Sequence, residues 1–308
     1  RKETTQRLRN SDGISSDPFD ARPTGRTDFN PVFQQSATFS ERILREPSAR
    51  PYDLPLLSPS ETKQVLDAMH LSFTKQLPMT NILDAFDERA KAQPDQVAIF
   101  DGVSAYSYQR FCEDGLRIAS LLKQRGVGPR TVVMLLLPRC YSFFVVQWAA
   151  LRCRAAFLPL DISVPDERKT FLFEDASPVL VVTDKLSDLF PEEMQLVLPF
   201  IPEMEVPEWN EKSQPTDLAY LIYTSGSTGV PKGVRISQGA LTCFVSGAIP
   251  TYGISSGDKI LQFSNLGFDA SIEEVFCALC SGAGLYLRND DMLDPEVLIR
   301  YSIENKLT

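Results

Sequence analysis

The stretch "LAYLIYTSGSTGVPKGV" (residues 218–234) joins two patterns that together indicate one kind of fold. Its first seven residues are almost all apolar and lack the alternation of a strand that faces water, so they predict a strand buried on both faces. From Thr224 to Val234, Ser, Thr and Gly crowd together and end in Pro-Lys-Gly. In an open α/β sheet, a loop directly after a buried strand lies where ligands bind.

Other short apolar runs resemble this strand, and they alternate with segments of helical period. The predicted helices cover residues 81–93, 107–125, 139–152 and 165–175, and the predicted strands cover 97–100, 132–137, 155–160, 178–183, 218–224, 259–264 and 283–288. Such alternation predicts an α/β fold with layered, mainly parallel sheets flanked by helices.

Composition and the alternation of predicted helices and strands divide the chain into three parts. Residues 1–57 are polar and rich in Pro, Ser, Asp and Arg, which is typical of a linker or the tail of an upstream domain. Residues 58–80 hold a predicted connecting helix, from about Pro59 to Ala68, that begins at a capping box. Residues 81–308 form the regular α/β part. Because the chain does not begin with Met, we interpret it as an excerpt from a longer protein.

Composition excludes several classes of function. A net charge of −9 argues against a nucleic-acid-binding surface, and no run of about 18 apolar residues predicts a membrane span. The six cysteines are scattered, so we expect reduced thiols and a cytoplasmic protein. Cys277 and Cys280 form a C-x-x-C without a second pair, which favours two buried thiols over a metal site. The single histidine, His70, excludes hydrolytic triads and His-based zinc sites.

The loop after residue 223 has the composition of a phosphate site. Glycines let backbone amides turn inward, hydroxyls add donors and a lysine adds a positive charge. The sequence matches neither the P-loop nor the dinucleotide-binding pattern. A surface loop without function has similar composition, but the ordered string favours phosphate binding. The predicted phosphate-binding residues are Thr224, Ser225, Gly226, Ser227, Thr228, Gly229, Lys232 and Gly233.

This string resembles the signature of the adenylate-forming superfamily, which includes acyl-CoA synthetases, luciferases and the adenylation domains of nonribosomal peptide synthetases. "LGFDASIEEVF" (266–276) is similar to the adenylation-domain motif in which an aspartate after phenylalanine holds the α-ammonium of an amino acid. "YDLPLLSPSETKQVL" (52–66) resembles the segment that joins a condensation domain to its adenylation domain. The resemblance covers about residues 54–308, and it implies that residues 1–57 are a linker or the tail of that condensation domain.

The resemblance implies substrate-binding roles at one helix start, for Phe268, Asp269, Ala270 and Glu273. An acidic Glu273 favours a polar or basic amino acid, although a solvated helical glutamate fits the same pattern. Asp269 is equally placed to cap the helix. A predicted capping box of Ser271 and Glu274 leaves Asp269 free for substrate.

Two departures from the family pattern stand out. Arg152, Cys153 and Arg154 replace the usual Lys-Ala-Gly, on a predicted helix-to-strand turn, and they put the geometry of that turn in doubt. The histidine that often follows the Lys-Gly pair is missing from residues 235–238.

The implied reaction is ATP- and Mg²⁺-dependent activation of an amino acid, followed by transfer of the acyl group to phosphopantetheine on a carrier domain. The implied partners are that carrier domain and an upstream condensation domain. We assign no catalytic residue and no metal ligand, since the family's adenine loop and catalytic lysine do not occur before Thr308. The fragment alone is therefore expected to be inactive. The alternatives are an acyl- or aryl-CoA ligase, and a truncated module that serves only as an interaction surface.

Overall fold

The computed structural model describes residues 60, 63, 64, 79, 81–198, 201–224 and 231–308. The chain divides into two compact units, residues 1–76 and 77–308, and the second contains nearly all of the described residues. Of the helix predicted from Pro59 to Ala68, residues 60, 63 and 64 are described and helical. The predicted linker of residues 1–57 lies outside the described residues.

The second unit alternates helices and strands along most of its length. The helices are α1 (Ile82–Ala92), α2 (Tyr108–Gln124), α3 (Tyr141–Arg152), α4 (Asp166–Ala176), α5 (Gln238–Tyr252), α6 (Asp269–Ser281) and α7 (Pro295–Asn305). The strands are β1 (Val97–Phe100), β2 (Ala105–Ser107), β3 (Val132–Leu136), β4 (Ala156–Pro159), β5 (Leu180–Thr183), β6 (Gln195–Val197), β7 (Leu218–Thr224), β8 (Lys232–Ser237), β9 (Lys259–Gln262) and β10 (Gly284–Leu287).

The strands form two sheets. The larger has the order β6-β5-β3-β4-β7-β8, and only the β7–β8 pair is antiparallel. The smaller has the order β2-β1-β10-β9, and only the β1–β2 pair is antiparallel. The prediction of layered, mainly parallel sheets flanked by helices is therefore confirmed. None of the helices in the described part is long and apolar enough to cross a bilayer.

Helices fill the space between the two sheets. Helix α3 packs on β3 and β4 and is buried along nearly its whole length, and α6 packs on β9 and β10. Aromatic rings join these layers, since Trp148 of α3 stacks on Phe276 of α6 and Phe276 stacks on Phe157 of β4. Burial of large aromatic side chains is the main favourable contribution to such a core. The other face of the larger sheet packs against Leu172 of α4.

Polar residues at the helix starts fix where several helices begin. The side chains of Asn81, Ser107, Ser237 and Asp294 accept hydrogen bonds from the first free amides of α1, α2, α5 and α7. These bonds satisfy amides that have no partner inside the helix.

The predicted helices and strands are confirmed to within a few residues at their ends. The sequence missed β2, β6, β8 and α5. The turn at Arg152, Cys153 and Arg154 joins α3 to β4, as predicted. Cys277 and Cys280 are both buried on α6, as expected.

Candidate active site

The described phosphate-loop residues, Thr224, Lys232 and Gly233, lie on the antiparallel strands β7 and β8, at the edge where the parallel strands of the larger sheet end. β7 ends at Thr224 and β8 begins at Lys232, and these two residues pair across the antiparallel ladder. Both are exposed. The prediction of one loop over Thr224–Val234 is wrong at its end, because Lys232, Gly233 and Val234 belong to a strand. Ser225, Gly226, Ser227, Thr228 and Gly229 lie outside the described residues.

Lys232 is the first residue of β8, and its ammonium group makes no ion pair and no hydrogen bond with the described residues. On the same strand, Gly233 lies directly opposite Tyr223. An exposed lysine without a carboxylate partner, next to a Gly- and Ser-rich connection, fits a phosphate group.

The second predicted site residue, Asp269, is the first residue of α6. It is exposed, and its Oδ1 accepts a hydrogen bond of 2.9 Å from the amide of Ala270. Phe268 occupies the N-cap position and provides no side-chain cap. Burial, and next the Asp269 carboxylate, raise the pKa of the Tyr220 hydroxyl on β7. The charge of Asp269 thus acts on the strand that ends at Thr224.

The capping box predicted from Ser271 and Glu274 is wrong. Ser271 is fully buried, and its hydroxyl has no hydrogen-bond partner among the described residues. Glu274 instead accepts from the Ser264 amide (3.1 Å), the Ser264 hydroxyl (2.7 Å) and the Gln262 side chain (2.9 Å). The box fails because the helix begins at Asp269, two residues before Ser271.

An arginine fixes the same turn from the other side. The Arg139 guanidinium donates to the carbonyls of Gln262 (3.3 Å) and Ser264 (3.0 Å). Burial, and next the nearby Arg288, lower the pKa of Arg139 to about 10. The turn between β9 and α6 is thus held by a carboxylate and a guanidinium, and sequence spacing gave no signal for either contact.

This turn meets the carboxyl end of β4. The Asn265 side chain donates to Asp161 (3.1 Å), which follows β4. A Cβ on Gly267 would lie 3.5 Å from the Pro159 carbonyl oxygen, at the last residue of the strand. Since β4 and β7 are parallel neighbours, the turn that carries Asp269 and the hairpin that carries Lys232 lie at the same edge of the sheet.

Three aromatic rings connect α6 to this sheet. Tyr220 of β7 packs on Phe157 of β4 at 5.7 Å, and Phe157 stacks on Phe276 of α6 at 6.3 Å. A shift of α6 would break the contact between Phe157 and Phe276. The rings therefore help to hold α6, the helix that begins at Asp269, against β4 and β7.

Glu273 lines a cavity of about 320 Å³, one helical turn beyond Asp269. Its other lining residues come from the end of α5, from the region of β9 and from α6, and they are Tyr252, Gly253, Ile254, Asp258, Ile260, Glu274, Cys277 and Thr308. The carboxylate of Glu273 lies close enough to the Tyr252 hydroxyl to raise the pKa of that group. Phe268, Asp269 and Ala270 are exposed and are not among the described lining residues. Tyr252 was missed because the sequence did not predict α5.

Comparison with known proteins connects this chain to one enzyme family. A family described as "AMP-binding enzyme" matches residues 86–308. The isonitrile lipopeptide synthase of Streptomyces coeruleorubidus is 37% identical over 227 residues, which cover 70% of this chain and 15% of the synthase. Tyrocidine synthase 1 of Brevibacillus parabrevis is 32% identical over 236 residues, 74% of this chain and 22% of that protein. The chain thus spans less than a quarter of the length of these two relatives.

Solved structures share the fold. The N-terminal subdomain of NpsA from Klebsiella oxytoca, in complex with 3-hydroxybenzoyl-AMSN, has a TM-score of 0.65 at 22% identity, over 75% of this chain and 59% of that one. The nonribosomal peptide synthetase FmoA3, bound to α-methyl-L-serine-AMP, has a TM-score of 0.69 at 24% identity, over 76% of this chain and 26% of that one. With the family matching well over half of the sequence, the chain belongs to the AMP-binding enzymes.

Proposed function

We propose that this chain is part of an ATP-dependent, amino-acid-activating module of nonribosomal peptide synthesis. The observation that carries the proposal is that the turn leading into Asp269 and the hairpin bearing Lys232 converge on one edge of the larger sheet. Relatives named as peptide synthases and synthetases support the same reading.

The proposed chemistry needs no side-chain nucleophile. The carboxylate of the amino acid attacks the α-phosphate of ATP, which forms an aminoacyl adenylate and releases pyrophosphate. A phosphopantetheine thiol on a carrier domain then takes the acyl group and releases AMP. The protein contributes by holding two anions in line and neutralising the charge that develops on the phosphates.

Lys232 is the residue proposed to neutralise the leaving pyrophosphate, with the amides and hydroxyls of Thr224 to Gly229 and the backbone of Gly233 beside it. Mg²⁺, when bound with ATP, supplies further neutralisation of the phosphate charge. Magnesium in such sites is held by the phosphates and one or two carboxylates. We assign no metal ligand in this chain.

Asp269 is proposed to pair with the α-ammonium group of the substrate. It has no cationic partner among the described residues, and it lies at the start of the helix that leads to the cavity. A carboxylate there favours an amino acid over an acid without an ammonium group, because only the amino acid forms a charge-assisted hydrogen bond. Phe268 and Ala270 flank this contact.

The cavity beside Glu273 is proposed to take the substrate side chain. Glu274 is already bonded to Ser264 and Gln262, and Asp258 is bonded to Ser255. Among the described residues, Glu273 has only the Tyr252 hydroxyl beside it as a hydrogen-bond partner, so it is the carboxylate with acceptor capacity left for a ligand. Its charge favours a polar or basic side chain over an apolar one.

The unit is proposed to stand between other domains of a longer polypeptide. Residues 1–57 are proposed to be a linker or the tail of an upstream condensation domain, residues 58–80 a connecting helix and linker, and residues 81–308 the N-terminal portion of the adenylation domain. The carrier domain is the second partner, and neither nucleic acid nor membrane is involved.

Six free cysteines support a reducing compartment, which we propose is the cytoplasm.

The test is exchange of labelled pyrophosphate into ATP, with the protein expressed from its complete gene. We expect exchange with one polar or basic amino acid, and a loss in kcat/KM of about 10- to 100-fold in Asp269→Ala, as for a hydrogen bond between charged groups. Lys232→Ala raises the KM for ATP, whereas Glu304→Ala on α7 is the matched surface control.

Two results would oppose the proposal. Equal use of the same acid with and without its α-amino group would favour an acyl- or aryl-CoA ligase. Absence of exchange with every amino acid and carboxylic acid, in a protein that still folds, would favour an inactive module that serves as an interaction surface.

A further inference from the structure

We infer that Tyr223 and Gly233 form an interlocked pair across the hairpin, fixed by Asp175 of α4, and that this pair positions Lys232. Tyr223 and Asp175 are thus positioning residues of the phosphate site. The inference rests on the proposed function for its consequence in ATP binding, whereas the interlock itself rests on geometry alone.

A side chain at Gly233 would require the Tyr223 ring to give way by a few tenths of an ångström. Gly233 lies directly opposite Tyr223 in the β7–β8 ladder. A Cβ at Gly233 would lie 3.0 Å from Cζ, 3.2 Å from Cε1 and 3.3 Å from the hydroxyl oxygen of Tyr223. The tyrosine ring therefore covers the α-carbon of Gly233, an arrangement in which an aromatic ring packs over a strand glycine.

The ring is held in place from the opposite side. Its hydroxyl donates a 2.5 Å hydrogen bond to the Asp175 carboxylate, near the end of α4. Its apolar part packs on the cluster that contains Leu158 and Leu221. Burial, and next the hydrogen bond to Asp175, raise the pKa of Tyr223 above its ordinary value. A ring held by both contacts gives way to a methyl group only by straining one of them.

This geometry changes the role of Gly233. The residue does not have a positive φ, so backbone conformation does not require glycine there. The requirement comes from the Tyr223 ring. Because Lys232 precedes Gly233 and pairs with Thr224, a displaced strand at Gly233 would move Lys232 away from Thr224.

The experiment is a double-mutant cycle in the protein expressed from its complete gene, using Gly233→Ala, Tyr223→Leu and the double variant. With Tyr223 present, we expect Gly233→Ala to lower the midpoint of thermal unfolding by several degrees. We expect it also to raise the KM for ATP at least tenfold, with the KM for the amino acid within about twofold. With Leu at position 223, the same change should lower the midpoint by less than half as much and raise the KM for ATP less than about threefold.

A cost of Gly233→Ala that is equal in both backgrounds, or a loss of folding in both, would overturn the inference. Tyr223→Phe and Asp175→Asn test the anchor, since the first removes the ring's hydrogen bond and the second weakens it, and both should shrink the cost of Gly233→Ala. Gly247→Ala is the matched control, because a Cβ at Gly247 meets no atom within 4 Å. If wild-type protein shows no pyrophosphate exchange, the proposed function fails, and the unfolding midpoints still decide whether the interlock exists.

Discussion

Arg154 shows how one side chain can hold a turn that the family builds with glycine. The residue has φ 61°, a left-handed conformation that glycine adopts most easily. Its guanidinium donates two hydrogen bonds to the Asp217 carboxylate, at 2.8 and 3.1 Å. The departure from Lys-Ala-Gly thus leaves the helix-to-strand turn in place and adds an ion pair to it.

This conformation predicts an unusual order of stability among variants. Arg154→Gly and Arg154→Ala both lose the ion pair, but only alanine retains the steric conflict of a left-handed residue. We expect the glycine variant to be more stable by about 1 kcal/mol in its free energy of unfolding. Urea denaturation measures this difference. An Arg154→Ala variant as stable as the Arg154→Gly variant would contradict the argument.

In the middle of α5, alanine is favoured over glycine. Gly247→Ala should therefore raise the free energy of unfolding by about 0.5–1 kcal/mol, as measured by the same urea denaturation.

Residues of the candidate site could be placed relative to each other from the sequence only where they lie close together on one element. The sequence placed Asp269 and Glu273 one turn apart at the start of a helix, and α6 has that form. It gave no sign of the hydrogen bond from Tyr223 to Asp175, because these residues are 48 positions apart. The same reason hid Tyr220, whose closeness to Asp269 depends on how the sheet and α6 pack.

At the scale of elements, the β9–α6 turn depends on Glu274. Glu274→Ala removes a charged acceptor and leaves the Ser264 amide without its partner, so we expect a loss of about 2–3 kcal/mol in the free energy of unfolding. Ser264→Ala removes only the hydroxyl bond and should lose about 1 kcal/mol. Denaturation and hydrogen exchange at the Ser264 amide measure both effects. Glu304→Ala, at an exposed position of α7, should stay within about 0.5 kcal/mol, and a similar loss there would remove the significance of the Glu274 result.

Elements with a strong apolar pattern were predicted, and those without one were not. "KGVRIS" forms β8 at the edge of the sheet, where four of its six residues are exposed, so it carries no buried run. α5 contains Gly239, Gly247 and Pro250, which weaken a helical pattern. Its N-cap at Ser237 and its left-handed end at Gly253 were the signals that could have identified it.

The whole molecule contains information that local patterns do not carry. Alternation of strands and helices predicted parallel sheets, but not that they are two. Phe100 pairs with Tyr286 in the smaller sheet, and Phe157 pairs with Tyr220 in the larger one. The helices between the sheets meet through buried rings such as Trp148 and Phe276, which are far apart in the sequence, so local patterns carry no sign of this contact.

The shared core also predicts how the molecule responds to alkaline pH. Burial raises the pKa of the Cys153 thiol to about 12 and that of the Cys277 thiol to about 12, from 9.0. Between pH 9 and 12 these thiols are ionised in the unfolded chain and protonated in the folded one. Unfolding therefore releases protons, and the free energy of unfolding falls as pH rises, by up to about 1.4 kcal/mol per pH unit for each thiol. Urea denaturation from pH 7 to 11 should show this fall, and the variant with both Cys153→Ala and Cys277→Ala should show a shallower one. Cys243→Ala, at an exposed cysteine, is the matched control. It should leave the dependence of the free energy of unfolding on pH as it is in the wild-type protein. An unchanged slope in the double variant would mean that these buried thiols do not link alkaline pH to unfolding.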